Sequence, residues 1–276
     1  MHYRLIATDL DGTLFAHQPD VPERTRGALA RWVASGRSLV IATGRMYHST
    51  KRVAEQLGVE TPLICYQGAM IRCPLTERTL WHQTVAPQPA RELIDDLESQ
   101  GLTVLAFRQD QVHTRVLDEA TRAYTSLSRT EARVIPGWDW FLQEGSPTKL
   151  VAIGEPARVS RELGRLRPAW AGLLHIVQSQ PNFLEVVHPE ANKGAALRHL
   201  CQHMDIAMEA VIAIGDGQND LEMVQEAGLG VAMGNAHPDL SRVADCQIGH
   251  VADQGIVAFI EGLLADPGRA SRLPPA

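Results

Sequence analysis

Two aspartates, Asp9 and Asp11, stand one residue apart at the end of the apolar run LIAT, and Gly12 turns the chain directly after them. Like charges this close repel, so a cation or a proton belongs between them. Other polar groups also follow apolar runs: Thr43, Gly44 and Arg45 after SLVIA, and Asp216, Gly217, Asn219 and Asp220 after AVIAIG, while Lys193 opens a segment of helical pattern. Asp9, Asp11, Asp216 and Asp220 are oxygen ligands for a hard cation, and a few carboxylates completed by water is what Mg²⁺ prefers. Thr43, Lys193 and the N–H groups near Gly12 and Gly44 are donors suited to phosphate oxygens. Metal-facing acids on one side and anion donors on the other suggest phosphoryl transfer.

These groups need a scaffold that brings distant strand ends together. Residues 3–8, 38–43 and 62–66 read as buried strands, with helices predicted over 22–35 and 46–58 between them. That alternation predicts a parallel sheet covered on both faces, whose ligands sit at the carboxyl ends of the strands. From about residue 83 the texture changes. Helices over 86–100, 117–127 and 157–167 mix with short strands over 103–115, 148–154, 173–179 and 183–187, and 129–147 reads as irregular. This predicts an α+β module with an open antiparallel sheet. After Pro189 the first pattern returns, with helices at 192–204 and 219–227, strands at 210–215 and 229–233, a closing helix at 254–264 and a frayed tail. The expected fold class is therefore α/β: a doubly wound parallel core of residues 1–82 plus 188–276, interrupted by an inserted α+β cap at 83–187.

DLDGT at 9–13, TGR at 43–45, Lys193 and GDGQND at 215–220 resemble, in order and spacing, the four motifs of the haloacid dehalogenase superfamily of phosphatases. The large insertion, with GLGVAMGNA (228–236) and ADQGIVAFI (252–260), resembles its type IIB branch, the Cof-type hydrolases. The resemblance implies Asp9 as the nucleophile that forms an aspartyl-phosphate, and Asp11 as general acid and then base. It implies Thr43 on a transferring oxygen and Lys193 neutralising both Asp9 and the phosphoryl group. Asp216 would ligate Mg²⁺ together with the Asp9 carboxylate and the Asp11 backbone carbonyl, Asp220 would hold metal-bound waters, and Asn219 would lie near the phosphate. Gly44 and Arg45 complete the substrate side; Arg45 either binds an anionic part of the substrate or pins the start of its helix to neighbouring carboxylates. Two positions depart from the family pattern: Gln67 where Asn is common, and Asn192 before Lys193 where a small hydroxyl or acid is common. The expected substrate is a small organic phosphate monoester, such as a sugar phosphate or a cofactor phosphate (flavin mononucleotide, pyridoxal phosphate). The alternatives are a phosphomutase using the same intermediate, or a non-catalytic phosphate-ligand-binding protein.

Other patterns carry less. A calcium loop from Asp9 would need Gly and Glu where Leu14 and Asp20 stand. GLGVAMG lacks the glycine spacing of a dinucleotide loop, and SPTK at 146–149 lacks its companion motifs. His199 and His203 lie one helical turn apart with no further ligand, which fits a solvated face. In the insertion, Arg108, His113, Arg115, Asn182 and Glu185 are polar residues in or beside strands, and alternation turns about half of such residues away from any one face. The 276 residues carry a formal charge of −6 with no basic block, which argues against nucleic acid as a partner. No apolar run approaches the roughly 20 residues of a membrane span. Four widely spaced cysteines without CxxC pairing, and a strand almost directly after Met1, predict reduced thiols, no signal peptide and a cytoplasmic location.

Overall fold

The computed structural model describes residues 3–16 and 20–266. The frayed tail expected beyond Asp266 lies outside the described residues. The first segment runs β1 (Leu5–Thr8), α1 (Glu23–Ala34), β2 (Ser38–Ile41), α2 (Tyr47–Leu57), β3 (Leu63–Cys65), β4 (Met70–Arg72) and β5 (Thr79–His82). Next come α3 (Pro87–Ser99), β6 (Thr103–Arg108), β7 (Gln111–Thr114), α4 (Glu119–Ser128), β8 (Ala132–Val134), α5 (Trp138–Gln143), β9 (Lys149–Ile153), α6 (Pro156–Ala169), β10 (His175–Gln180) and β11 (Phe183–Val187). The chain closes with α7 (Lys193–His203), β12 (Val211–Gly215), α8 (Leu221–Glu226), β13 (Leu229–Ala232), α9 (Pro238–Val243), β14 (Cys246–Gln247) and α10 (Gly255–Ala265).

The core sheet is wholly parallel, in the order β14-β13-β12-β1-β2. Strand β1 is buried along its length because each face meets a helical layer. Ile6, Ile212, Ile214 and Val231 pack under α1, α2 and α10, while Leu5, Ala7, Val211 and Ala213 pack under α7, α8 and α9. Strands buried on both faces read as unbroken apolar runs, which is why these were plain in the sequence. The topology reverses between β1 and β12, so the crevice for a ligand opens beyond their carboxyl ends.

The inserted sheet has the order β10-β11-β9-β6-β7-β8, antiparallel except for the β7–β8 pair. Its side chains alternate between two partners. Val104, Ala106, Leu150, Ala152, Leu184 and Val186 pack against α3, α5 and α6. Leu105, Phe107, Val151, Ile153, Phe183 and Val187 face the other way and join the same apolar cluster as Tyr66 and Met46 of the core. The cap sheet thus rests one face on the core, beside the carboxyl ends of its strands.

Several elements differ from the sequence expectation. The segment 62–66 does not continue the core sheet as a full strand. It touches the sheet edge through one parallel bridge, Ala42 to Ile64, and belongs to a separate antiparallel sheet with β4 and β5. Residues 129–147, read as irregular, contain β8 and α5; the Pro and Gly residues that suggested a loop flank these short elements rather than fill them. Likewise β14 and α9 were not foreseen, being only two and six residues long. Among the described residues no helix is long and apolar enough to cross a membrane.

Candidate active site

The ends of β1, β2 and β12, the start of α7 and the inner face of the cap enclose one cavity of about 820 Å³. Asp9, Asp11, Gly12, Thr43, Gly44, Arg45, Asp216 and Asn219 all line it, and Lys193 and Asp220 lie fully buried beneath. The motif residues that end the core strands and open α7 therefore converge.

Lys193 is the centre of this floor. Asn192 caps α7, its Oδ1 accepting from the Ala195 amide at 2.7 Å, so the departure from the usual small hydroxyl or acid keeps the capping function. That cap sets Lys193 at the first helical position, with its ammonium 2.9 Å from Asp9 Oδ1 and 2.6 Å from Asp220 Oδ1. Burial alone would lower the Lys193 ammonium, but the Asp220 and Asp9 carboxylates outweigh it and hold its pKa above the usual value. Asp220 is fully engaged: its other oxygen accepts from the amides of Asp216 and Gly217 at 3.0 and 2.9 Å.

Asp9, Asp216 and Asp220 each present an oxygen within 4.8 Å of the others, an arrangement that suits a cation. The electrostatics agree. Burial, then the neighbouring carboxylates, push Asp9 well above the ordinary carboxyl range despite Lys193, and push Asp216 up to about 7, with Asp220 the next cause. Crowded acids without a counter-cation hold protons; a divalent ion removes that need. Asp216 is aimed by Thr13, whose hydroxyl donates to Oδ1 at 2.9 Å, and by Asn235, whose amide donates to the Gly12 carbonyl at 2.8 Å and lies 3.4 Å from Oδ2. Gly12 has φ +84, and a Cβ there would sit 2.1 Å from Asp216 Oδ2, so only glycine admits this approach.

Asp11 does not point at this cluster. Both of its oxygens are held by Arg45, at 2.7 Å from Nε and 2.5 Å from Nη2. Of the two roles open for Arg45, this arrangement is the pairing with a neighbouring carboxylate, and Arg45 also lies over the Phe15 ring. The Thr43 hydroxyl accepts from the Arg45 amide at 3.2 Å. The Asn219 amide donates to Gln67 Oε1 at 3.0 Å, and the Gln67 amide donates to Glu185 Oε2 at 3.1 Å. Gln67, in the left-handed region at φ 58, thus spans from core to cap.

The cap supplies groups that the sequence reading left unassigned. Lys149, 1% exposed, donates to Glu185 Oε2 and to the Gly44 carbonyl, both at 2.8 Å. Ser179 donates to Glu185 Oε1 at 2.6 Å. Tyr124 and Phe183 stack edge to face at 5.3 Å above them, and burial, then Glu185, push the Tyr124 phenol upward. Of the five polar cap candidates, Glu185 alone lines the cavity. Arg108 turns back onto the carbonyls of Phe141 and Gly145, Arg115 pairs with Glu98, and His113 lies buried against Phe141. Asn182 closes the β10–β11 turn, its carbonyl accepting from Gly154. Lys149 had a usable signal: it shares a strand face with Val151 and Ile153, where a lysine has no place unless paired. Asn235 follows a core strand, so the rule that ligands gather at strand ends extends to it.

Residues 6–260 match the profile of the haloacid dehalogenase-like hydrolases. The chain belongs to that family. It is 29% identical to the phosphatase YwpJ of Bacillus subtilis over 95% of this chain and all of that one. An HMP-PP phosphatase of Cronobacter sakazakii is also 29% identical, over 96% of this chain and 97% of its own. Among solved structures, TM0651 of Thermotoga maritima superposes with a TM-score of 0.80 at 29% identity, covering 94% and 97% of the two chains. A sugar phosphatase of subclass IIB shares the fold at a TM-score of 0.81 and 19% identity, over 94% and 98%. The chain is an enzyme of this superfamily's phosphatase class, with an α/β core and an inserted cap.

Proposed function

We propose that the protein is a Mg²⁺-dependent phosphatase of small phosphate monoesters that works through a phosphorylated Asp9. The observation that carries this reading is the buried Lys193 ammonium set between Asp9 and Asp220 on the floor of a cavity that Asp216 and Asp11 also face. Asp9, Asp216 and the Asp11 backbone carbonyl would hold the ion, with Asp220 behind them. When bound it offsets the negative charge of acids and phosphate, so that a carboxylate can approach phosphorus.

The chain's own residues account for the remaining steps. Asp9 attacks phosphorus, forming an O–P bond as the ester P–O bond breaks, while Asp11 gives its proton to the departing oxygen. Asp11 then takes a proton from water, whose oxygen attacks phosphorus and releases inorganic phosphate and free Asp9. Lys193 and the Thr43 hydroxyl balance charge on the equatorial oxygens. Arg45 must release Asp11 before either proton transfer, since it now occupies both oxygens. The Tyr124–Phe183 lid excludes water around the leaving group.

On this reading residues 1–82 and 188–276 form the catalytic domain and 83–187 the domain that selects substrate. Cytoplasmic residence is part of it, supported by four cysteines that are all unpaired. The test is phosphate release from a panel of sugar and cofactor phosphates, with Mg²⁺ and with chelator, for the native chain and Asp9→Asn. Release that needs metal and falls by about 10³-fold or more in the variant is expected. Full activity in Asp9→Asn would sink the mechanism, and transfer of phosphate between sugar hydroxyls without release would turn the reading to a mutase.

A further inference from the structure

The cavity is lined by four cations, and its two ends treat them differently. At the inner end Arg45 is paired with Asp11, and Lys149 with Glu185. Further out lie Arg52 and Arg129. The Arg52 guanidinium makes one hydrogen bond, 3.4 Å to the Arg129 carbonyl, and the Arg129 guanidinium has no partner among the described residues. Neither meets a carboxylate there, in a chain that carries 32 acidic residues against 26 basic ones.

Helix spacing explains how Arg52 comes to face the cavity. Ser49, Arg52 and Gln56 all line it, and steps of three and four residues make one stripe along α2. Arg52 lies five residues past the first residue of α2, about 8 Å along the axis. Its guanidinium donates to the Arg129 carbonyl across the cleft. Arg129 approaches from the cap, as the residue that ends α4 in the left-handed region at φ 52. The carbonyl end of a helix repels anions, but the bond from Arg52 covers one of these carbonyls. The two guanidiniums come from opposite sides of the cleft, one on the core and one on the cap.

We propose that Arg52 and Arg129 form a second anion subsite, and that the preferred substrates are phosphate monoesters whose leaving group carries another oxyanion, a carboxylate or a second phosphate, at its far end. This rests on the phosphatase reading above and adds the substrate class to it. The cavity has room for such a leaving group, since about 820 Å³ lies within the range that encloses a drug-sized ligand. An anion placed there would also tie the cap to the core, because it would bond one arginine from each.

The test uses alkanediol monophosphates ending in a free hydroxyl, beside counterparts of matched length ending in carboxylate or phosphate. Hydrolysis of the hydroxyl-ended esters examines the phosphatase reading alone. The subsite is read from the ratio of kcat/KM between anion-ended and hydroxyl-ended esters, in which any loss common to both cancels. The native enzyme should favour an anion-ended ester of one length by about tenfold or more, as a charge-assisted hydrogen bond implies. The preference should fall as salt rises and disappear in Arg52→Ala/Arg129→Ala, and charge reversal at both positions should favour amino-ended esters instead. Comparison of the carboxylate and phosphate arms identifies which oxyanion is taken. A native ratio near one at every length, or a ratio unmoved in the double variant, would overturn the proposal while leaving the hydrolysis itself intact.

Discussion

Core and cap each contain a buried lysine that neutralises carboxylates, yet the two pairs serve different ends. Lys193 holds Asp9 and Asp220 on the floor, where burial and the crowding of carboxylates push Asp9 well above the ordinary carboxyl range in spite of that lysine. Lys149 and Glu185 sit in the sheet above it, satisfied by Ser179, Gln67 and the Gly44 carbonyl. The core cluster is therefore short of positive charge until a cation arrives, whereas the cap cluster is complete as it stands. A complete buried network fixes geometry, and an incomplete one stores the demand for a ligand. On the proposed mechanism, chemistry lies with the first and orientation with the second.

The core half of this contrast is broken most severely at Gly12. An added Cβ would collide with the Asp216 carboxylate and the alanine would have to adopt φ +84, so Gly12→Ala must displace the acid that Thr13 and Asn235 aim. Disturbing the groups that orient a metal ligand costs about 10- to 100-fold in metal affinity. The Mg²⁺ concentration for half-maximal phosphate release should rise by that factor, with α-helical circular dichroism retained. An unchanged Mg²⁺ dependence would mean that the position of Asp216 does not matter.

The same contrast governs what the sequence revealed. The core strands and the four polar clusters at their ends were legible because a strand buried on both faces is an apolar run, and any polar residue ending it is conspicuous. The cap strands alternate, so Glu185 and Arg108 looked equivalent, although one faces the cavity and the other turns onto Phe141. The short elements β8 and α5 stayed hidden because three to six residues carry too little periodicity to rise above the Pro and Gly residues around them. Gln67 was noticed only as a departure. Its bridge between Asn219 and Glu185 depends on a left-handed backbone and on a strand that folds in more than a hundred residues later, neither of which local pattern encodes.

Lys149→Met tests the cap half. It strips Glu185 of its charge partner inside the protein, and breaking a buried pair by removing one member costs about 3–5 kcal/mol. Ser179 and Gln67 remain as donors, so the lower end is expected in urea unfolding. Adding Glu185→Leu should recover much of that stability, since an apolar pair carries no desolvation penalty, but should not restore KM, because Gln67 then loses its cap partner. If the double variant regained both, the network would serve stability alone.

The finest test sets the two regions against each other by pH. In metal-free protein Asp216 titrates near 7 when folded and near 3.8 when unfolded, so between those values the folded state holds a proton that the unfolded chain does not. Its contribution is full below the unfolded value and lost as pH rises through about 7, by at most about 4 kcal/mol. Asp9 acts in the same direction. In the cap His175 does the reverse: burial, then Arg167, lower it to about 4, so its contribution is present above 6.5 and lost as pH falls toward 4. Acidification should therefore weaken the cap while it strengthens the metal-free core. Mg²⁺ bound as proposed would replace the proton among the acids, so the gap in Tm between loaded and chelated protein should widen from pH 5 to pH 7 and then level off. Hydrogen exchange at pH 5 in chelator should show the amides of β10 opening more readily than those of β1 and β12. A Tm gap of equal size at pH 5 and pH 8 would mean that the acids do not hold protons in place of the metal, and the contrast between an unsatisfied core and a satisfied cap would fall with it.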